Sequence, residues 1–90
     1  QIEMKKILIV DDEPNIVMSL EYIFKKENYM VFIARDGAEA IEIADANLPD
    51  IILLDIMMPN VDGYQVLNYL KSSKELNEIK VIFLSEITSI

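Results

Sequence analysis

Four short runs constrain this chain more than anything else in it: Ile7-Leu-Ile-Val10, Tyr29-Met-Val-Phe-Ile-Ala34, Ile51-Ile-Leu-Leu54 and Val81-Ile-Phe-Leu84. Each is apolar almost throughout and rich in β-branched residues, so neither face of the resulting strand suits water. Strands buried on both faces belong in parallel sheets, where the helices that cross between strands cover both sides. The segments between the runs supply those helices. Pro14 suits a first helical position behind an acidic cap, and Ile16, Val17, Leu20, Ile23 and Phe24 recur at helical spacing to about Lys26, before Asn28. Asp36-Gly-Ala-Glu39 has the spacing of a capping box, with Ala40, Ile41, Ala44 and Leu48 as a small-residue face that Pro49-Asp50 breaks. Asp62-Gly-Tyr-Gln65 looks like another box, ahead of Val66, Leu67 and Leu70. The polar stretch from Ser72 to Glu78 reads as a loop or frayed helical end, and Lys80 opens the last strand. The order β-α-β-α-β-α-β predicts an α/β fold, a doubly wound parallel sheet with right-handed crossovers.

Composition narrows the chemistry. The 90 residues make one domain at most, and their formal charge of -8 argues against direct binding to nucleic acid or an anionic membrane surface. With no cysteine and no histidine, disulfides, thiolate catalysis, His-based triads and most transition-metal sites are excluded. No signal peptide and no bilayer-length apolar run is visible, so a cytoplasmic protein is expected.

The polar groups that remain gather at strand ends. Asp11 and Asp12 follow the first strand, Asp55 ends the third and Ser85 the fourth. In a parallel sheet these ends share one edge, where open α/β sheets place their ligand crevices. Taken singly, Asp55 suits a turn-forming residue that closes a strand. Taken together, carboxylates that repel one another call for a proton or a cation. Hard oxygen donors without His or Cys point to Mg²⁺ or Mn²⁺. A carboxylate beside such a cation can act as a nucleophile and form an aspartyl-phosphate, with the Ser85 hydroxyl donating to the phosphoryl oxygens.

Ile7-Leu-Ile-Val-Asp-Asp-Glu-Pro14, Pro49-Asp-Ile-Ile-Leu-Leu-Asp-Ile-Met-Met-Pro59, Asp62-Gly63 and Val81-Ile-Phe-Leu-Ser85 together resemble the receiver domain of response regulators. The resemblance covers nearly the whole chain. It implies a flavodoxin-like (CheY-like) fold with strand order 2-1-3-4-5, which sets strands one and three side by side. It further implies Asp55 as phosphoacceptor, Asp12 as a direct Mg²⁺ ligand and Asp11 as a ligand mainly through water. Met57 would offer its backbone carbonyl to the metal, and Ser85 would be the switch hydroxyl. The implied partner is a sensor histidine kinase or phosphotransfer protein that donates from phosphohistidine in a two-component system. Catalysis would be limited to self-phosphorylation and its reversal by hydrolysis. A haloacid-dehalogenase-like phosphatase also uses a strand-end Asp, but it needs a second Asp where Met57 stands.

The sequence departs from the pattern twice. Receivers continue through a fourth helix, a fifth strand and a fifth helix, so residues 1–90 are expected to form a C-terminally truncated receiver domain without the strand-five Lys. Glu86 also stands where a small residue is usual. Two expectations follow: a partner-binding pseudo-receiver as the alternative reading, and a homo-oligomer or swapped dimer through the apolar edge of strand four.

Overall fold

The computed structural model describes residues 4–56 and 63–84, so the expectations that rest on Met57, Asp62, Ser85 and Glu86 lie outside the described residues. The elements run β1 (Lys6–Val10), α1 (Pro14–Lys26), β2 (Met30–Ala34), α2 (Gly37–Asn47), β3 (Ile51–Leu54), α3 (Gly63–Ser72) and β4 (Lys80–Phe83). All strand pairings are parallel, and the sheet order is β2-β1-β3-β4, as expected.

Period-two alternation divides the sheet into two cores. Leu8 and Val10 of β1 and Ile52 and Leu54 of β3 face Ala40 and Ala44 of α2 and Val66 and Leu70 of α3. Ile7 and Ile9 of β1 and Leu53 of β3 face the other way, against Val17, Leu20 and Phe24 of α1. The all-apolar strands are explained by this geometry, because every side chain of the central strands meets a helix whichever way it points. The α1 side is the thinner one: none of the residues of α1 is fully buried.

Local chemistry fixes the helix ends. Glu13 caps α1 by accepting from the Asn15 N–H at 3.2 Å, with Pro14 at the first helical position. At the other end Asn28 takes a left-handed conformation (φ 67°). The Tyr29 N–H then donates to Phe24 O at 2.9 Å and the Asn28 N–H to Lys25 O at 3.0 Å, a Schellman closure. The rings of Phe24 and Tyr29 meet edge to face at 5.2 Å and supply its apolar contact. Tyr29 therefore belongs to the cap of α1 and β2 starts one residue later than expected. The box at α2 also forms: Asp36 Oδ1 accepts from the Glu39 N–H at 2.8 Å, and Glu39 Oε1 accepts from the Arg35 N–H at 2.7 Å.

Two readings of the sequence need correction. Leu48 does not extend the buried face of α2. It is 50% exposed and left-handed (φ 49°), since Pro49 disfavours a helical conformation in the residue before it. In the stretch from Ser72 to Glu78, Ser72 ends α3 and turns follow, but it is not merely polar: Leu76 is 1% exposed and lies in the larger core.

Candidate functional site: an acidic cluster at the carboxyl edge of the sheet

Two backbone hydrogen bonds carry the sheet one residue beyond its strands. The Asp11 N–H donates to Ala34 O at 3.1 Å, and the Asp55 N–H donates to Val10 O at 2.9 Å. Both aspartates are thereby held at the ends of adjacent central strands. Asp11 turns the chain toward α1 by accepting the Glu13 N–H on Oδ1 at 3.0 Å, which leaves Asp12 at the rim. Carboxylate oxygens of Asp11, Asp12 and Asp55 all lie within 4.8 Å of one another. Asp11 is 2% exposed, Asp55 half-buried and Asp12 exposed.

Burial pushes the Asp11 carboxyl above the usual carboxylate range; the Glu13 N–H opposes this, and the charges of Asp55 and Asp12 add to it. Neither Asp11 nor Asp12 forms an ion pair with a lysine or arginine among the described residues, where the ion pair is Lys25–Glu21 on α1. Three converging oxygen donors that destabilise one another's charge match the ligand set of a hard divalent cation. The residues present fit Mg²⁺.

A raised pKa has a definite sign for stability. The folded chain holds the Asp11 proton more tightly than the unfolded chain does. Without metal, stability therefore increases as pH falls from neutrality through that raised pKa, and the ionised form costs stability above it. Asp11→Asn removes the cost while keeping an oxygen for the Glu13 N–H. The melting temperature of the metal-free chain at neutral pH is expected to rise. Its dependence on mildly acidic pH should flatten. Thermal melts across that range check both, and a lower melting temperature for the variant would contradict the electrostatic account.

The residue-type pattern, the fold and this cluster coincide with one known domain. The model of the response regulator receiver domain matches residues 7–90. This chain belongs to that family. Among curated relatives it is 46% identical over 70 residues to the alkaline phosphatase synthesis transcriptional regulatory protein PhoP of Bacillus subtilis (strain 168), covering 78% of this chain and 29% of that protein. It is 40% identical over 81 residues to sporulation initiation phosphotransferase F of the same organism, covering 90% of this chain and 64% of that protein. The receiver segment thus spans less than two thirds of either relative. Among solved structures, the N-terminal domain of a response regulator receiver protein from Methanoculleus marisnigri JR1 superposes with a TM-score of 0.84 at 34% identity, over 90% of this chain and 66% of that one. The chemotaxis response regulator CheY4 of Vibrio cholerae gives 0.86 at 26% identity, over 90% and 68%.

For the receiver, the fold brings together Asp11, Asp12 and Asp55, the three carboxylates singled out from the sequence. Sequence reasoning passed over Arg35. It is the only arginine of the chain and lines, with Asp11, Asp12, Met18 and Glu21, a cleft of about 230 Å³ beside the cluster. Its place one residue past β2, on the same sheet edge, was the available signal. No helix among the described residues is long and apolar enough to cross a membrane.

Proposed function

We propose that this receiver accepts a phosphoryl group on Asp55 from the phosphohistidine of a sensor histidine kinase or phosphotransfer protein, in a cytoplasmic two-component system. The observation that carries the reading is the approach of three carboxylates within 4.8 Å at the ends of β1 and β3. Asp11 and Asp12, joined by Asp55 and the Met57 carbonyl, are the groups that would hold Mg²⁺. When bound, that ion supplies positive charge that offsets the carboxylates and the phosphoryl oxygens.

An Asp55 carboxylate oxygen attacks phosphorus as the bond from phosphorus to the donor's imidazole nitrogen breaks. The electron pair leaves with the imidazole, which takes a proton from solvent. The product is an acyl phosphate, with Ser85 proposed to donate its hydroxyl hydrogen to a phosphoryl oxygen. Water later attacks phosphorus, returning the carboxylate and inorganic phosphate. Asp11 and Asp12 take no part in bond making; they keep the acceptor side chain in place and set the charge around it.

Incubation with acetyl phosphate and Mg²⁺ is expected to add one phosphoryl group per chain by intact mass, and chelation of the metal should prevent it. Absence of an adduct together with absence of Mg²⁺ binding would leave a partner-binding pseudo-receiver as the better description. β4 pairs with β3 alone among the described residues, and Val81, Ile82 and Phe83 are only half-buried. The proposal therefore includes self-association through that edge, and sedimentation of the 90-residue chain as a dilute monomer would count against this part of it.

A further inference from the structure

Gly63 begins α3, is buried, and has no need of glycine's backbone freedom, because its φ is not positive. With no backbone requirement for glycine at this first position of α3, its presence has another reason. The reason is space. A Cβ on Gly63 would lie 2.6 Å from Ile56 Cα, 3.1 Å from the carbonyl oxygen of Asp55 and 3.1 Å from Ile56 Cγ2. The closest of these atoms is backbone, so no side-chain rotation relieves the contact.

Something must move, and the surroundings decide what. Behind Gly63, α3 is anchored by Val66 and Leu70, each 1% exposed in the larger core, so the helix cannot retreat without opening that core. On the far side, Asp55 is tied to β1 through its N–H to Val10 O at 2.9 Å. The displacement therefore falls on the Asp55 carbonyl and Ile56, which lie between the β1 hydrogen bond and the start of α3.

We infer that Gly63 is a positioning residue for the acidic site: its missing side chain lets α3 seat against Asp55 and Ile56 and so holds the Asp55 carboxylate within reach of Asp11 and Asp12. This rests on the proposed phosphoacceptor reading and adds a residue that touches neither metal nor phosphoryl group. Displacement of the Asp55 backbone separates its oxygen from the other two while leaving each carboxylate chemically intact. The signature is a weakened metal site, not a lost nucleophile.

The test is Gly63→Ala in the 90-residue chain, with Mg²⁺ binding followed by calorimetry and the fold by circular dichroism. Mg²⁺ affinity is expected to fall about tenfold or more, the usual scale for residues that support metal ligands. Adduct formation from acetyl phosphate should recover toward the wild-type rate at raised Mg²⁺. A purely structural role would reduce the amplitude of the Mg²⁺ response and leave its midpoint in place, and that outcome overturns the inference. A folded variant with wild-type affinity overturns it too, while Mg²⁺ binding by the wild type leaves the site reading intact. Failure of the wild type to bind Mg²⁺ removes the site reading and with it the role of Gly63. Should Gly63→Ala not fold, the wild-type amide resonances of Ile56 and Gly63 are expected to shift with the midpoint of Mg²⁺ binding, and their failure to move would overturn the proposal.

Discussion

Asp55→Asn is expected to abolish the phosphoryl adduct while leaving the fold intact. The amide matches the carboxylate in size and keeps the backbone N–H that donates to Val10 O at 2.9 Å, so the end of β3 retains its place. What is lost is the anionic oxygen, and a neutral amide is no nucleophile toward phosphorus. Removal of one of three charges within 4.8 Å should also relieve Asp11, whose carboxyl is held up in part by the charge of Asp55. The metal-free variant should thus melt at the wild-type temperature or slightly above, and bind Mg²⁺ more weakly for want of one ligand. Intact mass after treatment with acetyl phosphate and Mg²⁺ decides the matter. An adduct that persists at wild-type level would move the acceptor to another carboxylate and sink the assignment.

Leu76→Ala carries the largest expected effect on stability. Leu76 belongs to the turns after α3, yet it is 1% exposed and packs in the core formed by β1, β3, α2 and α3. Removing its buried methyl groups loses their transfer free energy and leaves a cavity that the sheet cannot collapse to fill, about 3 kcal/mol in similar sites. That is a large fraction of the roughly 5–15 kcal/mol by which a domain is stable. Its neighbours Glu75 and Asn77 are exposed, and alanine at either should stay within about 0.5 kcal/mol of the wild type. Urea unfolding of the three variants gives a direct comparison. Equal midpoints would show that the turn contributes nothing to the core.

The contrast between Leu76 and the strands says where sequence reasoning succeeds. Ile7 to Val10 and Ile51 to Leu54 announce themselves because four consecutive apolar residues have few other places to go. Glu13, Asp36 and Glu39 mark helix starts through hydrogen bonds that span a few residues, and those bonds form. A single leucine among Ser, Lys, Glu and Asn carries no such pattern. Its burial depends on where α3 leaves the chain relative to β3 and β4, a distance set by packing. Leu48 failed for the opposite reason, since a local rule at Pro49 overrode a periodicity that pointed inward.

The acidic site divides along the same line. Residue type and order were enough to mark Asp11, Asp12 and Asp55 as strand-end carboxylates, to select a hard cation in a chain without His or Cys, and to set β1 beside β3 through the family resemblance. The first two are properties of short segments, written in local pattern, and the strand order is what the resemblance implies. The burial of Asp11 at 2% exposure, the convergence of three oxygens within 4.8 Å, the presence of Arg35 in the neighbouring cleft and the seat of Gly63 against Ile56 arose only from packing. Each is a distance between residues far apart along the chain. Such distances are fixed by how two cores fill on either side of one sheet, a balance of many weak contacts that no single stretch encodes.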